Sequence, residues 1–326
     1  MGGPIMEPAK NPITGEISGV LERRIEAANQ MFDIDMSNSR LTFLNPILAQ
    51  TSLPYSEPAP NLPFYKCENG NVATTLIRGT LRNPYTKQFE LQGYPFGTKP
   101  RLMLMYLCTE VTLKKKKEIY LGDSLSDFQM RLGIDYCSGG ARGSLRPTKE
   151  QLMRLAASHL QLYCSDEKKH SMLHAAPPIR RFDFWLPDRI HEANKWEGMV
   201  TIDEDVFQCL REGNLPLRTE AIMALQNSPM ALDVYAWLAF RLWRIRVSPM
   251  KPIPWVTLQC QFGPGYARTR DFKRDFKKIL ASVLKVYPEA NVLFNGNDEL
   301  VLMRSPAPVP RRLFIDVVKT IEFKCK

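Results

Sequence analysis

One order of elements occurs twice along the chain, and this constrains the fold more than any single motif. In the first copy, Thr98 stands as a helix cap with Pro100 in the first turn. Leu102 to Leu107 is apolar almost all round, which predicts a buried helix closed by Lys114 to Lys117 at the negative end of its dipole. Ser124-Leu125-Ser126-Asp127 opens a short helix that stops at Gly133. Ser138-Gly139-Gly140-Ala141-Arg142-Gly143 is a flexible lead-in to a longer helix over about residues 144–163. Residues 179–186 and 198–202 then alternate as the strands of a hairpin.

The second copy is sharper. Ser228-Pro229 is a cap followed by proline at the first helical position, and residues 230–245 form a strongly apolar helix. Residues 254–262 read as a short helix, broken by Gly263-Pro264-Gly265. A long helix over 268–287 ends at Pro288. Residues 291–294 and 299–303 are two strands joined by Asn295-Gly296-Asn297-Asp298, a strong hairpin signal. Helix, short helix, tight turn, long helix and hairpin are the parts of a helix-turn-helix with a β-wing. The expected fold is therefore α+β, mainly helical, with two tandem winged-helix domains.

Ahead of these units, Ile17, Val20, Leu21, Ile25, Ala28 and Met31 repeat at helical spacing. Pro54, Pro58, Pro60 and Pro63 then mark an extended linker. Residues 72–78 and 88–92 read as a strand pair around Arg82-Asn83-Pro84. The expected organisation is a partly flexible N-terminal helix and linker over 1–63, a first domain over 64–215, a basic second domain over 216–305 and a tail over 306–326.

Charge separates the two domains. Residues 99–215 carry 18 basic and 16 acidic side chains, whereas residues 216–326 carry 18 and 9, net +9. A localised basic excess points to a polyanion, most commonly nucleic acid. The helix over 268–287 concentrates it. Phe272, Phe276, Ile279, Leu280 and Val283 form one apolar stripe, and Arg268, Arg270, Lys273, Arg274, Lys277 and Lys278 lie elsewhere on the helix. Such a face suits a major groove, with arginine on guanine and lysine on phosphate. The bland alternative is a solvated face paired by Asp271 and Asp275. The helix over 144–163 is less basic, with Arg142, Arg146, Lys149 and Arg154 around its N-terminal half and the nearby glycines open to phosphate.

Other classes fail on motifs. There is no P-loop, no G-x-S-x-G elbow and no dinucleotide fingerprint. His159, His170, His174 and His191 do not combine with cysteines at zinc spacing, so neither metal nor cofactor is expected. No His-x-His accompanies a tyrosine, which disfavours a metal-dependent nicking enzyme. Trp237, Trp243 and Trp255 read as core. No run approaches 18 apolar residues, and Met1 to Asn11 lacks a signal-peptide layout, so no membrane partner is expected. Seven cysteines without a C-x-x-C pair read as reduced thiols of a cytoplasm.

Three segments resemble the RepA-type plasmid replication initiator proteins of bacteria. They are Tyr94-Pro-Phe-Gly97-Thr-Lys-Pro-Arg101 with its apolar helix, Leu121-Gly-Asp-Ser124 through Gly143, and Ser228-Pro-Met-Ala-Leu-Asp233 through Leu242 with Phe262-Gly263 and residues 272–280. The resemblance implies a non-catalytic initiator that binds repeated double-stranded origin DNA (iterons), promotes opening and recruits the host initiator ATPase and replicative helicase. It also implies monomer–dimer self-association, repression of its own gene and a place in the bacterial cytoplasm on plasmid DNA. Its two reading helices map onto residues 144–163 and 268–287. The alternative is a winged-helix transcriptional regulator without replication activity.

Overall fold

The computed structural model describes residues 41–83, 86–134, 145–166, 169–173, 179–184, 196–211 and 213–310. The expected helix within 16–32, the 138–143 lead-in with Arg142, and the tail beyond 310 lie outside them. The chain opens with β1 (Leu41–Leu44), β2 (Tyr65–Asn69), β3 (Val72–Ile77), β4 (Thr80–Arg82) and β5 (Phe89–Leu91). Then come α1 (Thr98–Lys114), β6 (Glu118–Tyr120), α2 (Leu125–Arg131), α3 (Leu145–Ala157), β7 (His159–Asp166), β8 (Lys169–Leu173), β9 (Ile179–Phe184) and β10 (Trp196–Ile202). The second half holds α4 (Glu204–Arg211), β11 (Leu215–Arg218), α5 (Thr219–Leu225), α6 (Pro229–Arg241), α7 (Trp255–Phe262), α8 (Thr269–Val286), β12 (Val292–Phe294) and β13 (Leu300–Leu302).

Local chemistry explains most boundaries. The Ser124 hydroxyl accepts the Asp127 N–H at 3.0 Å, and Ser228 caps Ala231 at 3.2 Å ahead of Pro229. α1 begins differently from expectation. Thr98 is inside the helix, and Gly97 is the cap, at φ 78° and ψ −156°, a conformation that only glycine adopts without strain. Its N–H donates to the Pro54 carbonyl at 3.0 Å.

Two strand assignments need correction. The helix expected to reach Tyr163 stops at Ala157, and residues 159–166 become β7. Leu160 and Leu162 are buried between more exposed neighbours, the two-residue period of a strand, and this strand lies against β3 from Val72↔Cys164 to Ile77↔His159. The β3 and β5 segments do not pair with each other. β3 sits in a four-stranded antiparallel sheet of order β2-β3-β7-β8, and β5 pairs with β4. The expected strands at 179–186 and 198–202 do pair antiparallel, as β9 and β10.

β6 lies on the other side of β10, giving the order β6-β10-β9. The second half repeats this arrangement in miniature. β12 pairs β13, and Ile253, just before α7, bridges antiparallel to Leu300 on β13.

A single contiguous apolar core runs through both halves, from Phe43 and Leu104 to Trp237, Phe276 and Leu302. Residues 41–55, read from sequence as part of a flexible segment, belong to it. β1 pairs β11, and residues 51–54 are buried. Cys67 and Cys108 are free thiols whose pKa burial pushes up to about 11 and about 12, so they stay protonated.

At the centre, the Arg101 guanidinium on α1 meets Asp233 on α6 through two bonds of 2.8 Å. Its other N–H groups donate to the carbonyls of Leu53 at 2.6 Å, Pro54 at 3.1 Å and Gly97 at 2.6 Å, and its plane lies 4.8 Å from the Tyr55 ring centroid. Burial works against the charged guanidinium, and Asp233 outweighs it. Removing one partner leaves a buried ion unpaired. Asp233→Ala should lower the unfolding free energy by about 3–5 kcal/mol in urea denaturation, and Arg101→Met with Asp233→Leu should recover most of it. An unchanged urea midpoint for Asp233→Ala would show that the pair carries no stability.

Candidate nucleic-acid interface

α8 is held by aromatic packing. Phe272, Phe276, Leu280 and Val283 are fully buried along one stripe. Trp237 on α6 meets Phe262 edge-on at 5.3 Å, Phe262 meets Phe276 at 5.7 Å, and Phe276 lies 5.4 Å from Phe272. Trp255 on α7 stacks on Phe294 of β12 at 5.8 Å. Each such pair contributes about 0.5–1.5 kcal/mol beyond its buried area. The turn between α7 and α8 requires glycine at 263 because a Cβ there would stand 2.4 Å from the Phe272 ring.

With that stripe inward, the six basic residues divide into two groups. Arg268, Arg270, Arg274 and Lys278 are exposed. Arg270, Arg274 and Lys278 recur every fourth residue and so form one row along the helix. The Arg270 side chain is 80% exposed and that of Arg274 60%. Asp271 lies 3.7 Å from Arg270 and 3.6 Å from Arg274, and Asp275 accepts from Arg274 at 2.9 Å. These are surface pairs, which contribute little in water and exchange readily for other anions.

Lys273 and Lys277 face the hairpin instead. Both ammonium groups bind the two oxygens of Asp298, at 2.5 and 2.6 Å. They also lie 5.2 and 5.9 Å from the Trp255 ring centroid. Asp298 is the last turn residue, in the left-handed region at φ 59°, and its carbonyl accepts the Trp255 indole N–H at 2.7 Å. The Asn295 side chain closes the same turn by accepting the N–H groups of Asn297 and Glu299 at 3.0 and 2.8 Å. The two lysines therefore tie the hairpin tip to α8. Hydrogen bonds from Lys273 and then Lys277 hold the Asp298 carboxyl below the usual aspartate range. Sequence reading missed Asp298 because Asn-Gly-Asn-Asp scans only as a turn.

α3 presents less. Thr148, Gln151, Leu152, Met153 and Leu155 are buried, leaving Arg146 exposed and Lys149 half-buried. Arg154 is tied down, donating to Glu57 at 2.7 Å and the Tyr94 carbonyl at 3.1 Å with its plane 5.2 Å from the Phe96 ring centroid. Arg142 and its flanking glycines lie outside the described residues. Trp243, expected in the core, is on the surface. Among the described residues no group of three or more His, Cys, Asp or Glu is arranged to hold a metal, and no helix is long and apolar enough to cross a membrane.

The segment that carries α1 to α6 defines the class, a plasmid replication protein. Residues 94–254 match the family described as plasmid encoded RepA protein, which supports placing the chain among the RepA-type replication initiators. The match ends at Pro254, so α7, α8 and the β12–β13 hairpin follow it in the chain. No curated protein and no solved structure matches significantly.

Two measurements test this geometry. Gly263→Ala should lower stability by about 1–3 kcal/mol by forcing Phe272 out of place, read as a fall in melting temperature. Asp298 has a lowered folded-state pKa, so its lysine contacts are present above the ordinary aspartate pKa and are lost as pH falls through the lowered value. An NMR titration of its carboxyl should give a midpoint below about 3.9, rising toward that value in Lys273→Gln/Lys277→Gln.

Proposed function

We propose that the chain is a non-catalytic initiator of plasmid replication that binds repeated double-stranded origin DNA through two tandem winged helices. The family supports a role in plasmid replication. The sheet orders support the winged-helix reading. In each half the segment after the first helix lies antiparallel to the last strand of the hairpin, as β6 does on β10 and Ile253 on Leu300. The domains in this reading span 64–215 and 216–305.

The observation that carries the DNA reading is the Arg270, Arg274 and Lys278 row on a helix that follows a tight turn. In this reading α8 enters a major groove. Its exposed arginines reach guanine O6 and N7, Arg268 and Lys278 neutralise phosphates, and Lys273 and Lys277 hold the wing against the helix. α3, with Arg142, Arg146 and Lys149, takes an adjacent groove and positions the protein on phosphate more than it reads bases. Two such units, one helical turn apart, span a repeat of about 20 base pairs. Origin opening needs no nucleotide site, since binding energy can stabilise a bent or unwound duplex. The same reading includes recruitment of the host initiator ATPase and replicative helicase, monomer–dimer self-association and a bacterial cytoplasmic location on plasmid DNA.

The test is a salt titration of the full chain against the repeats of its own origin and against scrambled duplex of equal composition. Repeat-specific binding is expected. Arg274→Gln should weaken it by about 1–3 kcal/mol and relax specificity, and Lys278→Gln should weaken both duplexes alike and lower the salt slope by about one. Equal wild-type affinity for repeat and scrambled DNA would overturn the initiator reading.

A further inference from the structure

No acidic residue falls between Asp233 and Asp271, a stretch that carries Arg241, Arg244, Arg246, Lys251, Arg268 and Arg270. In its middle, where α6 ends in a 3-10 turn over Leu242–Arg244, the apolar surface is left uncovered. Trp243 is 44% exposed and Val247 79% exposed. The Arg244 guanidinium lies 3.8 Å from the Phe240 ring centroid and 4.2 Å from that of Trp243, and its Nη1 donates to the Phe240 carbonyl at 2.7 Å. Arg246 and Lys251 are exposed further along the same segment, and Arg304 is exposed on the chain beside it. Arg304 is brought there by its N–H, which donates to the Ser248 hydroxyl at 3.1 Å.

This patch is separate from the duplex face proposed above. The chain from Leu242 to Trp255 runs antiparallel beside residues 298–305, through Ser305 N–H to Leu242 O, Met250 N–H to Leu302 O and Ile253 N–H to Leu300 O. Trp243 thus sits at the far end from the 295–298 turn. It is also at the C-terminal end of α8, where the Tyr287 hydroxyl bonds the Pro306 carbonyl. A duplex on the N-terminal half of α8 leaves it open.

We propose that Trp243 and Arg244 form a stacking site for the bases of single-stranded nucleic acid, with Arg246, Lys251 and Arg304 on its phosphates. Bases in a duplex keep their faces stacked on one another, whereas an unpaired base offers a free π-face to an exposed indole or guanidinium plane. Arg244 is already pinned on two rings, so little side-chain freedom is lost when a strand docks. Residues 234–270 themselves carry no carboxylate to oppose the phosphates. An acidic protein segment would use the cations but has no bases to place on the ring.

The test is fluorescence anisotropy of the full chain with labelled oligothymidylate, alongside an origin-repeat duplex. Trp243→Ala should weaken single-strand binding by about ten-fold or more and leave duplex affinity and melting temperature unchanged, while Trp243→Phe retains most of it. Unchanged single-strand affinity in Trp243→Ala would overturn the proposal, as would parallel loss on both DNAs. So would displacement of the oligonucleotide by poly-glutamate as readily as by unlabelled strand, which would mark an acidic-protein surface. Because the duplex is measured beside it, failure of this site and failure of the duplex reading give different results.

Discussion

The Arg101 guanidinium is withdrawn from water, so each of its N–H groups must find a protein acceptor. It finds them on parts of the chain far apart in sequence: the carbonyls at 53 and 54, the helix cap at 97 and the carboxylate at 233. A weak cap or a misplaced segment would strand a buried charge. Much follows from meeting that demand. Residues 51–54 are drawn into the core, Gly97 adopts its special conformation, and α1 and α6 are fixed against each other. The two halves of the chain consequently share one interior.

The arrangement at α8 follows from the opposite kind of force, which is non-directional. Six aromatic rings from α6, α7, α8 and β12 decide which stripe of α8 turns inward, and that choice sorts its basic residues. The row at 270, 274 and 278 is left facing solvent, and the pair at 273 and 277 is directed to the hairpin tip. Packing therefore sets the chemistry of the surface, because rotating α8 would exchange the two groups of cations and bury charge.

What was legible in the sequence is what is encoded locally. Ser124, Ser228-Pro229, Gly263 and Asn295-Gly296 each act within a few residues, and they mark helix ends and the last hairpin where the structure has them. What was not legible depends on distant partners. Residues 159–163 fit a helical extension until β3 is beside them, and Thr98 reads as a cap until Pro54 is found to hold Gly97. Trp243 looks like core because tryptophan usually is. At the candidate site, the apolar stripe and the basic content of α8 were readable, but the separation of Lys273 and Lys277 from the exposed row was not. The partner of those two lysines is Asp298, some twenty residues further on in a turn.

The clamp on Asp298 gives the free protein its own counter-ion. Lys273 and Lys277 are already satisfied by a carboxylate tethered to the same fold, which therefore acts at high effective concentration. A passing polyanion does not simply add to these two lysines. It has to displace a resident competitor that never diffuses away, and gains less from counter-ion release than the lysine count suggests. The arginines of the exposed row are paired at the surface by Asp271 and Asp275, whereas the lysine pair shares one carboxylate between two ammonium groups. The hairpin tip thus lowers the charge that this pair of lysines presents, because one carboxylate is set against two ammonium groups.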